Sequence, residues 1–274
     1  MTFVVAQISD THLGGPTAPF APAFDKLAAW FAKNPADLIV HSGDVTLDGV
    51  KSARDLDDAA ALLGKLDAPL RCIAGNHDVG ESTYPGVRET AVTRTALDGW
   101  SHRFGPHCWI EDIPGWRLLG IDAQVLGSGL DEESMQYEFV REAVASSETR
   151  RIGLFCHKPL FDRSPDEVLV SGRFVNPDPR AKLYDALSGS TLGFVGSGHV
   201  HQFRTLQVSG TTHVWAPSAS FTFPDRMQPL IGEKIVGYVE HRLAPDGRHS
   251  ATLKRVPGLS TDDLDRFPDA YNHR

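Results

Sequence analysis

Seven side chains of types that commonly bind metal ions stand directly after apolar runs in this sequence. They are Asp10, His12, Asp44, Asn76, His157, His199 and His201. Asp10 and His12 are two positions apart, as are His199 and His201, so on an extended chain both side chains of each pair lie on one face. Three oxygen donors and four imidazoles are more than a single tetrahedral ion can use, so we predict two ions.

The donor types restrict both the metal and the reaction. The set contains no thiolate and mixes nitrogen with oxygen, which favours Mn²⁺, Fe, Co²⁺ or Zn²⁺. Asp44 is the expected bridge, because a carboxylate has two oxygens and Asp44 stands between the two halves of the set in strand order. Two ions about 3.5 to 4 Å apart can activate a shared water and hold the attacking and leaving oxygens of an in-line displacement. With two carboxylates and a hydroxide bound, one positive charge remains, which suits a singly charged anion.

The elements that must position these donors form an α/β pattern. Strands are predicted at 3–8, 37–42, 70–74, 152–156 and 192–196, and helical spacing of apolar residues predicts helices at 20–31, 56–66 and 180–187. The opening half therefore reads β-α-β-α-β, which is typical of parallel strands. Because ligands bind at the carboxyl ends of such strands, we expect the seven donors to converge although the chain separates them.

The remaining segments surround this core. A hairpin is predicted at 108–113 and 116–121, and Met135, Phe139, Ala143 and Val144 indicate a further helix. Residues 1–259 are interpreted as one catalytic domain, in which 202–259 holds mainly antiparallel strands at 203–208, 211–215, 235–243 and 251–256 that could serve as a cap or an oligomer contact. The loops 15–22 and 162–179 are long enough to cover a site. Residues 260–274 are expected to be an acidic, solvated tail.

Five motif blocks carry a resemblance to a known family. They are D-x-H at 10–12, G-D at 43–44, G-N-H-D at 75–78, the single His157, and G-H-x-H at 198–201. In this order they resemble the calcineurin-like metallophosphoesterases. The resemblance implies a four-layer α/β/β/α sandwich with two mixed sheets and a loop-rich cap, and a dinuclear centre that hydrolyses phosphate esters.

The resemblance also implies a role for each residue. Asp10, His12 and His201 would hold one ion, Asn76, His157 and His199 the other, and Asp44 would bridge them. His77 would not bind metal. Together with Asn76 it would contact the substrate, and it would donate a hydrogen bond or a proton to the leaving oxygen, with Asp78 orienting its ring.

The motif details favour a phosphodiesterase. Purple acid phosphatases have D-x-G first and a Tyr three places after the bridging Asp, where this chain has His12 and Leu47. The chain also does not match the G-D-x-V-D-R-G and G-N-H-E motifs of Ser/Thr phosphatases. The blocks look most like bacterial class III cyclic-nucleotide phosphodiesterases and glycerophosphodiesterases. We therefore predict hydrolysis of 3′,5′-cyclic nucleotides or glycerophosphodiesters by a metal-bound hydroxide.

Two alternatives remain open. A broad phosphomonoesterase or nucleotidase would need added positive charge, and Lys158, by strand alternation, should point away from His157. That reading is strengthened only if Arg88, Arg163 or Arg173 folds over the site. The other alternative is a non-catalytic interaction scaffold of the same fold, which has no need to keep all seven donors.

Composition excludes several classes of protein. A formal net charge of −8 provides no positive field for a nucleic acid polymer, so the expected partner is a small phosphodiester. Three cysteines without a C-x-x-C pair are interpreted as reduced core thiols. The first residues have no basic targeting region, and no apolar window approaches about 20 residues. A cytoplasmic protein without a membrane contact is expected, and a homo-oligomer is left open.

Overall fold

The computed structural model describes residues 1–15, 17–87 and 89–270. Its strands are β1 (Phe3–Ile8), β2 (Leu38–His41), β3 (Leu70–Cys72), β4 (Trp109–Ile113), β5 (Trp116–Gly120), β6 (Arg151–Phe155), β7 (Leu192–Ser197), β8 (Arg204–Val208), β9 (Thr211–Trp215), β10 (Tyr238–Leu243) and β11 (His249–Lys254). Its helices are α1 (Ala21–Phe31), α2 (Ala53–Leu63), α3 (Asn76–Val79), α4 (Arg94–Phe104), α5 (Asp131–Ala145) and α6 (Pro177–Ala186), followed by a 3₁₀ turn at Leu264–Arg266.

The strands form two mixed sheets. The first has the order β11-β10-β1-β2-β3, and the second has the order β4-β5-β6-β7-β9-β8. In the first sheet β1, β2 and β3 are parallel, and β10 runs antiparallel to β1. In the second sheet β5, β6, β7 and β9 are parallel. The strands that precede the seven donors are therefore the parallel ones in both sheets.

Apolar residues hold the two sheets face to face. Val5 and Val40 of the first sheet share a core with Leu118 and Phe194 of the second, and Trp116 is fully buried there. The outer face of the first sheet packs against α1, α2 and α4, and that of the second packs against α5 and α6. The predicted four-layer sandwich with two mixed sheets is confirmed.

The strands after His201 differ from the expectation in their placement. All four form, but they do not make one antiparallel unit: β8 and β9 extend the second sheet, and β10 and β11 extend the first. Moreover, β9 pairs in parallel with β7. Strand spacing in the sequence predicts the strands themselves, whereas their partners depend on long-range register that no local pattern contains.

Two helices also differ from expectation. α4 was not predicted because only Leu97 and Trp100 are buried on it, although Thr93 gives it a clear start by accepting the N–H of Ala96 at 3.2 Å. α5 is present, and Phe139, Ala143 and Val144 pack against the core as expected, whereas Met135 is 67% exposed.

Part of the acidic tail, within residues 260–270, contacts the body of the protein. The backbone of Thr222 exchanges hydrogen bonds of 2.9 Å with Asp262 and Leu264. Phe267 then packs edge-on against Phe20, with ring centroids 5.0 Å apart. Apolar residues spaced along the acidic segment therefore anchor it to the body of the protein, and residues 271–274 lie outside the described part.

Two further expectations concern cysteines and membranes. Cys72, Cys108 and Cys156 are all free thiols, and Cys72 and Cys156 are buried. Within the described ranges, no helix combines the length and the apolar character that crossing a bilayer requires.

Candidate metal centre

The seven predicted donors meet where the carboxyl ends of the two sheets come together. The first sheet supplies four of them after β1, β2 and β3, and the second supplies three after β6 and β7. Hydrogen bonds join the two groups of strands at this edge: Nδ1–H of His157 donates to the Ser42 carbonyl at 2.9 Å, and the backbone N–H of His199 donates to Oδ2 of Asp10 at 3.0 Å. The site is therefore assembled from both sheets.

The local backbone is unusual at these positions. Five of the seven donors have a left-handed conformation with φ between 46° and 68°: Asp10, His12, Asp44, His199 and His201. For residues other than glycine this costs about 1 kcal/mol each, and such strain collects at functional sites. The neighbouring glycines allow the close approach, because a Cβ on Gly43 would overlap the His157 ring and one on Gly75 would overlap the Asp44 carboxylate.

One cluster consists of Asp10, His12 and His201, all of them buried. The Asp10 Oδ1 lies 3.3 Å from Nε2 of His201, and Nε2 of His201 lies 3.2 Å from Nε2 of His12. Oδ2 of Asp10 accepts the backbone N–H of His199 at 3.0 Å, while its Oδ1 is buried and has no hydrogen-bond partner. Two facing nitrogens and a buried oxygen without a hydrogen bond make a suitable ligand set for a cation.

A second cluster consists of Asp44, His157 and His199, with Asn76 beside it. Nε2 of His157 lies 3.1 Å from Nδ1 of His199 and 3.3 Å from Oδ1 of Asn76. Asp44 occupies the middle of the site: its Oδ2 lies 3.4 Å from Nε2 of His157 and 3.8 Å from Nε2 of His12. The carboxylate thus faces both clusters.

Backbone carbonyls determine which nitrogen of His157, His199 and His201 faces the centre. Nδ1–H of His157 donates to Ser42, Nδ1–H of His201 to Phe221, and Nε2–H of His199 to Gly172, each at 2.9 Å. In neutral rings the other nitrogen then carries a lone pair. Lone pairs that face each other at about 3 Å repel unless a cation lies between them, so the residues present fit two metal ions.

The electrostatics of the site agree with cation binding. Burial alone would raise the pKa of Asp10, but His201 outweighs it and holds the pKa well below its usual range. Burial alone would lower the pKa of His157, but the charge of Asp44 and the hydrogen bond to it raise that pKa to about 9. Burial lowers the pKa of His12 and His199. A divalent ion would take the place of the proton that Asp44 attracts to His157.

His77 stands at the side of this centre, but Asp78 does not orient it as expected. Nδ1 of His77 donates to the Leu47 carbonyl at 2.7 Å, which turns Nε2 to a point 4.0 Å from Oδ2 of Asp44. The Asp78 carboxylate instead accepts N–H groups of Val45, Thr46 and Gly75, at 2.8 to 3.1 Å. Asp78 therefore holds the loops that carry Asp44 and Asn76, and the backbone of Leu47 orients the His77 ring.

A family model now decides the class of the protein. The model of the calcineurin-like phosphoesterases matches residues 3–203. The chain belongs to this family. Because the family is one of phosphoesterases, the prediction of a phosphoric ester hydrolase is confirmed, and the His and Asp clusters agree with the divalent metals that metallophosphoesterases use.

Two curated relatives belong to bacteria. A cyclic nucleotide phosphodiesterase described as probable from Psychrobacter arcticus is 28% identical over 231 residues, covering 80% of this chain and 77% of the relative. The 3′,5′-cyclic adenosine monophosphate phosphodiesterase CpdA of Pseudomonas aeruginosa is 28% identical over 277 residues, covering 92% and 90%.

Solved structures show the same fold at low identity. A dimetal phosphatase from Danio rerio superposes with a TM-score of 0.60 at 13% identity, covering 92% of this chain and 95% of that one. A purple acid phosphatase from yellow lupin (Lupinus luteus) seeds superposes with a TM-score of 0.65 at 15% identity. The match covers 96% of this chain and 53% of the phosphatase.

The phosphoesterase centre is supported by an aromatic cluster that the sequence pattern did not reveal. Phe221 packs 4.6 Å from the His201 ring and 4.8 Å from Phe20, whose ring lies 6.4 Å from that of His12. Leu47, which orients His77, belongs to the same cluster. These residues come from distant loops, so no spacing in the sequence links them.

Basic residues near the centre are engaged elsewhere. Lys158 is fully buried, and its ammonium group contacts the Glu81 carboxylate and the Ser82 hydroxyl, the latter at 3.0 Å. The Arg163 side chain is 83% exposed and lies 3.6 Å from Asp162. Arg173 is exposed, and Arg88 lies outside the described residues.

Proposed function

We propose that this phosphoesterase hydrolyses small phosphodiesters, such as 3′,5′-cyclic nucleotides or glycerophosphodiesters, with two divalent transition-metal ions. The observation that carries the proposal is the position of the Asp44 Oδ2, which faces imidazole nitrogens of both clusters and of His77 within 4.0 Å. The two bacterial relatives named as cyclic nucleotide phosphodiesterases support the diester class. The three free thiols support a reducing compartment, so we infer the cytoplasm.

The proposed division of the ligands follows the two clusters. Asp10, His12 and His201 would hold one ion, and His157, His199 and Asn76 the other, with Asp44 bridging them. When bound, the ions would lower the pKa of a water and balance charge on the oxygens of the displacement. The protein itself must orient the ester so that its leaving oxygen points toward His77.

The contacts of His77 support a role in protonating the leaving oxygen. Because its Nδ1–H donates to the Leu47 carbonyl, an imidazolium would direct its second N–H, at Nε2, into the centre. Its backbone N–H donates to the Asp44 Oδ1 at 2.9 Å, which fixes the position of the ring relative to the proposed bridge. We infer that His77 is the general acid.

The charges around His77 favour a diester over a monoester. The Lys158 ammonium is paired with the Glu81 carboxylate, which offsets its charge, although after burial and His157 it still contributes to the lowered pKa of His199. Among the described residues that line the cleft beside His77, Asp48 and Glu89 are acidic and Lys51 is basic. The Lys51 ammonium lies 3.7 Å from the Asp48 carboxylate, so these three residues offer no excess of positive charge for the second charge of a dianionic monoester.

The direct test compares two nitrophenyl esters on metal-reconstituted protein. We expect kcat/KM for bis(p-nitrophenyl) phosphate to exceed that for p-nitrophenyl phosphate, and 3′,5′-cyclic AMP and glycerophosphodiesters should then be compared as substrates. A higher value for the monoester would favour the phosphomonoesterase alternative. No hydrolysis of either ester by protein that binds two ions would favour the scaffold.

A further inference from the structure

The cleft beside His77 does not end at the metal centre. Its lining includes Asn76 and His77, and it shares Val50, Lys51 and Thr90 with a second cavity of about 400 Å³ between α2 and α4. The two spaces adjoin at these three residues, and we name them together the His77 groove. A groove that begins at the proposed general acid lies on the side where the leaving group of the ester departs.

The chemistry of the His77 groove changes along its length. Near His77 the walls are polar, with Asp48, Lys51, Glu89 and Thr90, and the Lys51 ammonium lies 3.7 Å from the Asp48 carboxylate. Farther out they are mainly apolar, with Leu56, Ala96 and other small residues of α2 and α4. The basic group at the far end, Arg103, is occupied by the Asp57 carboxylate at 2.6 Å and the Gly99 carbonyl at 3.0 Å. The groove therefore suits an uncharged group with hydroxyls near the phosphate and an apolar ring beyond them.

A glycine inside α4 lines the apolar part. Gly99 lies in the middle of Arg94–Phe104, although glycine is the weakest ordinary helix former apart from proline. A Cβ on Gly99 would come no closer than 4.0 Å to its neighbours outside the helix backbone, which are Leu56 Cδ1 and Arg103 Nη1. Packing thus does not demand glycine here, and what its missing side chain provides is open space in the groove.

We propose that the His77 groove binds the organic group of the leaving alcohol, that this group has the size and polarity of a nucleoside, and that Gly99 keeps its apolar part open. The proposal rests on the proposed phosphodiesterase function and assigns the part of the substrate beyond the phosphate. Asp48 and Glu89 are suited to accept hydrogen bonds from the sugar hydroxyls, and the surface between α2 and α4 is suited to the base.

The test uses two cyclic diesters with the same six-membered phosphate ring. One is 3′,5′-cyclic AMP, and the other is the cyclic phosphate of 1,3-propanediol, which lacks the nucleoside. In Gly99→Phe we expect kcat/KM for cyclic AMP to fall at least tenfold, mainly through KM, and kcat/KM for the propanediol ester to change less than twofold. The control Asp98→Phe adds the same ring at the neighbouring exposed position of α4 and should change neither value.

A second variant and a binding measurement keep the proposal testable if Gly99→Phe does not fold. Thr90→Phe narrows the junction of the groove from an exposed loop position, so it should reproduce the selective loss even if Gly99→Phe does not fold. Calorimetric titration of metal-loaded His77→Ala protein with cyclic AMP should show at least tenfold weaker binding when either groove variant is added. Because titration needs no turnover, it measures the affinity of the groove for cyclic AMP even if the protein hydrolyses no diester. Unchanged binding, or equal losses for both esters, would overturn the proposal.

Discussion

At the scale of single residues, the centre combines strained backbone with hydrogen bonds from neighbouring loops. The surrounding fold offsets the strain of the left-handed conformations at Asp10, His12 and Asp44. The hydroxyl of Ser218 and that of Ser220 both donate to the Asp10 carbonyl, at 2.9 and 2.6 Å. The donors are thus already oriented before an ion arrives, which favours tight binding.

His77→Ala tests whether His77 acts in chemistry and not in metal binding. We expect the variant to retain its metal content and to lose about 10²- to 10⁴-fold in kcat on a diester with an alkoxide leaving group, the range of general acid catalysis. The loss should be much smaller for a nitrophenyl ester, whose leaving group needs little protonation. Metal analysis and paired kinetics measure this, with the exposed His102→Ala as control. Equal losses on both esters would mean that His77 only positions the substrate.

At the scale of elements, loops distant in sequence support the ligands from outside the sheets. The segment 260–270 brings Phe267 against Phe20, and Phe221 joins Phe20 to the His201 ring. On the other side, the loop before α6 brings the Gly172 carbonyl to His199. The acidic C-terminal segment is therefore part of the support of the centre.

Phe267→Ala should weaken both the fold and the metal site. Phe267 is only partly buried, so we expect a loss of about 2 kcal/mol in the free energy of unfolding, less than for a fully buried phenylalanine. Loss of support behind His12 and His201 should also weaken metal binding by about tenfold. Denaturant titration and metal titration measure the two effects. Phe139→Ala, a similarly half-buried position on α5, should lower stability without changing metal affinity.

At the scale of the whole molecule, the centre joins the two sheets. Asp10, His12 and Asp44 follow strands of the first sheet, and His157 and His199 follow strands of the second. An ion held by residues of both sheets binds the folded state only, because the unfolded chain separates its ligands. Metal binding should therefore stabilise the entire sandwich.

Chelation tests this coupling. At a free metal concentration about 1,000 times Kd, bound metal adds about 4 kcal/mol, which corresponds to a fall of about 10 °C in Tm when the metal is removed. Adding Mn²⁺, Co²⁺ or Zn²⁺ back should restore Tm. In Asp44→Asn the shift should be less than half as large, because an amide supplies one neutral oxygen in place of a bridging carboxylate. A full shift in that variant would contradict the bridging role, and its absence in the wild type would contradict tight metal binding.

The sequence by itself determined the fold class and the strands that precede the site, and it predicted the seven candidate donors. These features depend on local information: apolar runs, helical spacing and motif blocks placed at strand ends. Asp10, His157 and His201 could be identified as candidates because each follows a buried strand. The split of the donors into two groups came from the family resemblance. Two clusters in the structure have matching members, and a third group, His12, Asp44 and His77, could also hold an ion.

Only the tertiary structure decided what surrounds those residues. The partners of β9 and β10, the packing of Phe267 behind the centre and the contact of Leu47 with His77 all join positions far apart in the chain. The role of Asp78 was predicted wrongly for the same reason, since its neighbour in sequence is not its partner in space. Local periodicity records which face of an element is buried, whereas the groups that meet across that face depend on the register and packing of the whole chain.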